Sequence, residues 1–348
     1  MRTAILGCGA IGTILGAYLA RAGCPVDLID SYQEHVDALN QHGAHIIGTQ
    51  EFTVPVRAIT PEQMMGQYDL VFLFTKQTAN HTVLPRLNRH LRPDSTVCTL
   101  QNGVPEPYVA SQIGPERTVG GTVLWSATFA GPGTSELTQD LSTLDWYFDV
   151  GEMDGRITPR IQNVKAVLDH MGPTQVCTGL MATRWAKLIN NACMSGMSAV
   201  CGCTFGQVLE APKARACLSY LAREVKLCCE AEGYTMATLV NGFSPDCLSL
   251  DNQEQYNASQ QLFYDMYQLA LPAKASMLQD LQHARRTEVS MINGYVSQVG
   301  RSHGIPTPFN DTVVDIVTKI EMDRLPLSTD NLKHFDDEWF SFVPYTPV

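Results

Sequence analysis

An α/β domain on a mostly parallel sheet, followed by an all-α domain, is the architecture predicted by this 348-residue sequence. Up to about residue 178, short apolar runs alternate with helical stretches, the pattern of β-α units. Beyond Gly179 strand signals nearly vanish and long helical periodicities take over. The length also exceeds what one core usually organises, which favours two domains, 1–178 and 179–348.

The elements follow in order. Thr3 to Leu6 reads as a strand, Ala10 to Ala22 as a helix and Pro25 to Ile29 as a second strand. Leu70 to Phe74 and Thr96 to Leu100 are further strands, the latter reached through the helical VLPRLNRHLRPDS. From Thr118 the texture becomes β-rich, with Gly131-Pro132-Gly133 as a turn, and predicts an antiparallel extension of the sheet through STLDWYFDVGE. The second domain carries three long helical patterns: ATRWAKLINNACMSGMSAV, ARACLSYLAREVKLCCEAEG and SMLQDLQHARRTEVSMINGYVSQVGRSHG. Gly233 and Gly304 fall at helix C-termini. The tail KHFDDEWFSFVPYTPV reads as an irregular strap over the helices.

Composition removes several function classes. A net charge of -11 with no basic run disfavours nucleic acid as a partner. No window approaches the roughly 18 apolar residues of a membrane span, and the N-terminus lacks a leader pattern, so a soluble cytoplasmic protein with no membrane partner is expected. The eleven cysteines lack C-x-x-C spacing and sit within apolar patterns, as reduced, buried thiols do. No His/Cys spacing typical of a metal site occurs, and no metal is expected.

The first strand runs into GCGAIG, in which Gly7, Gly9 and Gly12 have G-x-G-x-x-G spacing and Cys8, Ala10 and Ile11 fill the gaps. The first glycine permits the tight turn, the second lets backbone approach a pyrophosphate, and the third lets helix pack on strand. Strand before, helix after and an acid, Asp30, closing the second strand predict a Rossmann-type dinucleotide site. A carboxylate there accepts from a ribose 2′-hydroxyl and repels a 2′-phosphate, which favours NAD over NADP. The competing reading of Asp30 is a cap on the following helix.

Thr75-Lys76 and Gln101-Asn102-Gly103 follow two parallel strands, at the carboxyl ends where open α/β sheets bind ligands. Each alone is equally well a solvated lysine or a simple turn; together they favour a cofactor cleft that includes Lys76 and Asn102. Lys187, Asn191 and Ser195 recur at i, i+4 and i+8 on one helix face. Apolar surroundings would lower the lysine's proton affinity and suit it to proton transfer. Glu288 is placed on the last long helical pattern, with Ser276 three turns earlier; a charged residue there is more often simply solvated.

Together, GCGAIG, Thr75-Lys76, Gln101-Asn102-Gly103-Val104, the run from Arg184 to Asn191 (RWAKLINN) and SMLQDLQHARRTEVSMING from Ser276 to Gly294 resemble the ketopantoate reductase family, in order over residues 1 to about 320. The resemblance implies a Rossmann domain, a helical substrate and dimerisation domain, and an active site in the cleft between them. It implies hydride transfer from a reduced nicotinamide to a 2-oxo acid, giving a 2-hydroxy acid, with 2-dehydropantoate as the default substrate. By position, Lys187 would be the general acid and Glu288 would orient it or a substrate hydroxyl. Asn191 and Ser276 would hold the substrate, and Lys76 and Asn102 would sit beside the nicotinamide half of the cofactor and the substrate. A homodimer is expected on the same ground.

Three departures stand out. Family members usually read N-x-x-x-N-P in the catalytic helix, and here the second asparagine is Ser195, followed by Gly196. Pantoate-forming members typically prefer NADPH and place a basic residue near the position of Asp30. The segment Thr134 to Ile157, with Trp146 and Tyr147, is longer than usual. These keep open an NAD-dependent 2-hydroxy acid dehydrogenase acting on a different branched or aromatic substrate. Opine-type reductive amination and a non-catalytic nucleotide sensor are lesser alternatives.

Overall fold

The computed structural model describes residues 1–239 and 242–342, and the chain divides into two units, Met1–Leu180 and Met181–Val348. In the first, strands and helices alternate as β1 (Thr3–Leu6), α1 (Ala10–Arg21), β2 (Val26–Ile29), α2 (Gln33–His42), β3 (Ala44–Gly48), β4 (Phe52–Val54), β5 (Arg57–Ile59), β6 (Tyr68–Leu73), α3 (Asn80–Asn88) and β7 (Leu91–Thr99). There follow α4 (Glu106–Ile113), β8 (Thr118–Val123), β9 (Ala127–Gly131), β10 (Thr134–Leu137), β11 (Phe148–Gly151), α5 (Pro159–Leu168) and β12 (Thr174–Val176).

An eight-stranded sheet has the order β12-β11-β8-β7-β6-β1-β2-β5. It is parallel from β8 to β5, and β11 joins β8 in antiparallel sense. Continuous burial of β1 and β2 fits a parallel sheet covered on both faces. The order reverses at β1, where β2 lies on one side and β6 on the other, the switch point at which such sheets bind ligands.

Two sequence expectations are corrected. The helix expected over VLPRLNRHLRPDS ends at Asn88, and Leu91 already begins β7. Ser95 explains the early strand, because its Oγ accepts from the Arg92 N–H at 2.8 Å and donates to the Tyr68 carbonyl at 2.6 Å. The β-rich segment after Thr118 also divides between sheets. β8 and β11 extend the main sheet, whereas β9 and β10 pair around Gly131-Pro132-Gly133 and form a second sheet, β4-β3-β10-β9. β10 runs parallel to β3, so a local hairpin is joined to a distant strand.

The second unit is helical: α6 (Leu180–Ile189, beginning at the unit's edge), α7 (Gly196–Cys201), α8 (Phe205–Glu210), α9 (Pro212–Ala231), α10 (Gln253–Tyr267), α11 (Ser276–Gln282), α12 (Asn293–His303) and α13 (Pro308–Glu321). Gly304 closes α12 in the left-handed conformation, φ 69°, and Gly233 follows α9 at φ 83°. The expected tail strap is present as far as residue 342. Phe340 crosses the Tyr220 and Phe309 rings, and the N–H groups of Ser341 and Phe342 donate to the Tyr220 hydroxyl. Residues 343–348 of the predicted strap lie outside the described residues.

All eleven cysteines carry free thiols, and all but Cys24 and Cys177 are buried. Among the described residues no helix is long and apolar enough to cross a membrane.

Candidate active site

The glycine loop is built by steric exclusion. Gly7 has φ 99°, and a Cβ there would stand 2.5 Å from the Thr75 amide nitrogen, so β1 and the end of β6 approach each other only through glycine. A Cβ on Gly12 would collide with the Gly7 carbonyl oxygen. Around Gly9, by contrast, a Cβ would meet nothing within 4 Å among the described residues, and none of their side chains caps the start of α1. The first N–H groups of α1, from Ala10 and Ile11 onward, therefore face an open approach, as an anion at a helix N-terminus requires. These features fit a dinucleotide pyrophosphate.

Asp30 performs two local tasks. Its Oδ2 accepts from the Cys8 N–H at 2.7 Å and its Oδ1 from the Tyr32 N–H at 2.9 Å. It thus braces the glycine loop and caps the turn into α2, and each oxygen keeps a lone pair for a further donor. Cys8 buries its thiol against the Ile5 and Ile29 carbonyls and commits its N–H to Asp30.

Sequence reasoning missed a second brace. The Gly133 N–H donates to His35 Nδ1 at 2.9 Å, leaving the ring proton on Nε2. From there it reaches Thr13 Oγ1 at 3.1 Å, and Thr13 donates to the Cys8 carbonyl at 2.7 Å. Burial lowers the pKa of His35, in keeping with the neutral ring this chain needs. His35 gives no sequence signal beyond its place in an amphipathic helix.

Lys76 and Asn102 lie exposed past the ends of β6 and β7. With the glycine loop after β1 and Asp30 after β2, they occupy the carboxyl ends of four adjacent strands. The loops bearing them are tied by Gln101, whose Nε2 donates to the Thr75 carbonyl at 2.5 Å and to Asn80 Oδ1 at 2.8 Å. The Gln77 side chain donates to the Asn102 carbonyl at 2.6 Å. The polar run at the end of β7 was visible in sequence, but the tying role of its buried glutamine was not.

In the helical unit Lys187 is half-buried on α6, between the buried Trp185 and Leu188. The expected continuous α-helix does not follow. Residues Asn190–Ser195 are π-helical, and α7 resumes at Gly196. In an α-helix, positions i, i+4 and i+8 drift by about 40° at each step. A π turn, closed by i→i+5 bonds, holds more residues and removes much of that drift, so Asn191 and Ser195 stay nearer the Lys187 face than α geometry allows. Asn191 is 8% exposed, and its buried amide nitrogen has no hydrogen-bond acceptor among the described residues.

Glu288 is also placed differently from expectation, because the single helix read over residues 276–304 is broken. Ser276 is the first residue of α11, which ends at Gln282, with Ala284 at φ 51°. The Thr287 N–H donates to Glu321 Oε1 at 2.7 Å and its hydroxyl at 2.5 Å, which draws the chain onto α13. Glu288 then precedes a short 3-10 turn ahead of α12, half-buried and off any long helix. Two contacts bring this segment to the lysine helix: the Tyr295 and Trp185 rings lie 5.7 Å apart, and Asn293 Nδ2 donates to the Ala192 carbonyl at 2.9 Å.

A nucleotide-type glycine loop at a sheet switch point, joined in one chain to a helical unit carrying a lysine and an amide in line, marks the class of two-part oxidoreductases acting on a CH–OH group. Within that class the chain belongs to the ketopantoate reductase PanE/ApbA family: the pattern "Ketopantoate reductase PanE/ApbA" matches residues 3–146, and its "C terminal" counterpart matches residues 179–321. A 2-dehydropantoate 2-reductase from Streptococcus pyogenes serotype M6 is 27% identical over 317 residues, spanning 90% of this chain and 95% of that protein. A PanE/ApbA family ketopantoate reductase from Ralstonia eutropha JMP134 shares the fold with TM-score 0.79 at 24% identity, over 93% of this chain and 99% of that one. A D-mandelate dehydrogenase, in a ternary structure with NADH and anilino(oxo)acetate, shares it with TM-score 0.78 at 22% identity over 93% and 99%.

Proposed function

We propose that this protein reduces a 2-oxo acid to the 2-hydroxy acid with a nicotinamide dinucleotide, as a 2-dehydropantoate 2-reductase does. The observation that carries this reading is Asn191. A buried amide N–H without an acceptor costs about 1–3 kcal/mol, and because the nitrogen has no accessible surface as placed, the side chain turns outward before a ligand oxygen accepts it and removes that cost. That donor lies one helical turn from Lys187, in a chain whose first unit has an open pyrophosphate cradle.

The nicotinamide, when bound, supplies the hydride. Lys187 holds a proton for the carbonyl oxygen and stabilises the negative charge that develops on it. Asn191, Ser195, Ser276 and Asn102 hold the substrate's polar groups, and Glu288 orients Lys187 or a substrate hydroxyl. Gly7 to Gly12 hold the pyrophosphate, with Lys76 on the cofactor side. Asp30 favours NAD, since a 2′-phosphate would meet a carboxylate that already serves two backbone N–H groups.

Ser195 favours a second reading within the same chemistry, an NAD-dependent 2-hydroxy acid dehydrogenase for a different branched or aromatic substrate. A hydroxyl where relatives carry an amide shortens hydrogen-bond reach, and unmatched buried polar groups discriminate strongly between substrates.

Purified protein assayed with NADH and NADPH against 2-dehydropantoate and branched and aromatic 2-oxo acids tests both readings. Lys187→Ala should lower kcat by about 10²–10⁴-fold while nucleotide binding persists. Undiminished turnover in that variant would remove the assigned acid, and a strong NADPH preference would overturn the reading of Asp30.

A further inference from the structure

The π-helical stretch Asn190–Ser195 is an uncommon backbone in the middle of a buried helix, and it carries two of the polar groups assigned to the substrate. Two side chains from elsewhere in the helical unit grip it. Asn293, fully buried at the start of α12, donates from Nδ2 to the Ala192 carbonyl inside the stretch at 2.9 Å. The same nitrogen donates to Asn310 Oδ1 at 2.9 Å, so both its protons are directed at acceptors and the amide cannot be reversed. Asn310 is in turn fixed by Glu224, which accepts from its Nδ2 at 2.7 Å and from its backbone N–H at 2.9 Å. On α10 the buried Tyr267 hydroxyl donates to Asn190 Oδ1, at the first residue of the stretch, while its ring packs edge-on against Phe205 at 5.1 Å.

We propose that Asn293 and Tyr267 are positioning residues for the reaction: they hold residues 190–195 in the π conformation and thereby keep Asn191 and Ser195 in line with Lys187. Neither is assigned contact with substrate or nucleotide. The catalytic part of this inference rests on the function proposed above. Relaxation of the stretch to regular α geometry would restore the 40° drift per step and carry Ser195 furthest from the lysine's face. The consequence falls on substrate binding and alignment, leaving the nucleotide half untouched.

The test compares Tyr267→Phe, which deletes one hydroxyl and keeps the ring packing, with Asn293→Ala. Amide hydrogen exchange over residues 190–195 should quicken by about tenfold in each, the effect of one lost buried hydrogen bond. With the best 2-oxo acid of the panel, KM should rise by about tenfold and kcat should fall less, while the NADH dissociation constant stays within twofold. Unchanged exchange in Tyr267→Phe overturns its grip on the stretch. Faster exchange or a lower melting temperature with unaltered KM and kcat overturns the positioning role and leaves a structural one. If the wild-type protein turns over none of the panel, the proposed function fails, and with it the catalytic half of this inference; the exchange measurement still decides whether the two side chains hold the stretch.

Discussion

Glu224→Gln should abolish a pH dependence of stability that this one carboxyl builds into the helical unit. Glu224 is 5% exposed, and burial pushes its pKa from 4.5 up to about 7, against the lowering effect of the Asn310 and Phe309 donors. Asp311 adds a further upward push. The folded state therefore holds the proton more tightly than the unfolded state between pH 4.5 and 7. Stability from this group is complete below pH 4.5 and is lost as pH rises through 7. At about 1.4 kcal/mol for each factor of ten in proton affinity, the whole loss is about 3 kcal/mol, most of it between pH 5 and pH 8. Glutamine cannot ionise, but its NH₂ must replace one acceptor, and the Phe309 N–H at 2.9 Å is the bond most easily given up. That costs about 1–3 kcal/mol at every pH. Relative to wild type, the variant should gain about 2–3 kcal/mol between pH 5 and pH 8, read from urea unfolding followed by helical circular dichroism. With a slope of about 2–3 kcal/mol per molar urea, this is a relative midpoint shift of about 1 M. A difference between the two proteins that stays constant across the range would refute the reasoning, since Glu224 would then titrate alike in folded and unfolded chains.

Further outcomes concern the glycine loop. Gly12→Ala forces a Cβ onto the Gly7 carbonyl oxygen and should weaken NADH binding at least tenfold by fluorescence titration, whereas Gly9→Ala, in open space, should perturb the apo fold little. Equal melting temperatures and affinities for the two would contradict the steric account. Asp30→Ala removes the acceptor for two N–H groups and should raise the NADH dissociation constant about tenfold while narrowing the NADH to NADPH ratio; an unaltered ratio would make Asp30 a cap only. Thr13→Val interrupts the chain from His35 to the Cys8 carbonyl, and a loss of about 1 kcal/mol should lower the melting temperature by about 2–4 °C in differential scanning calorimetry.

Much of the first unit was legible because its signals are local. The spacing of Gly7, Gly9 and Gly12 falls within six residues and is read locally, although the backbone that Gly7 makes room for is Thr75, at the end of a neighbouring strand, and β1 ends where the apolar run ends. The helical unit was legible in class but less so in detail. A π stretch leaves little mark on side-chain periodicity, so Asn190 to Ser195 read as ordinary α-helix. Glu288 looked helical because the break before it is made by Glu321, 34 residues from Thr287, through a bond that no local pattern announces. Asn293 and Tyr267 were hidden for the same reason: their partners lie 101 and 77 residues away. Asn191 was singled out by spacing, but its missing acceptor is visible only once the surrounding helices are in place.

The parallel pairing of β10 with β3 bears on how the glycine loop is made. His45 aligns with Thr134 and Gly48 with Leu137, and Gly133 beside this ladder supplies the N–H that orients His35. Residues 7–12 are synthesised well before Gly133, so this brace arrives more than a hundred residues later. Closing so long a loop is slow compared with local helix formation. During synthesis the glycine turn can therefore form early as a shape, but it gains this brace only after the chain has grown past the Gly131-Pro132-Gly133 turn. A nascent fragment ending sooner would retain the motif without this support.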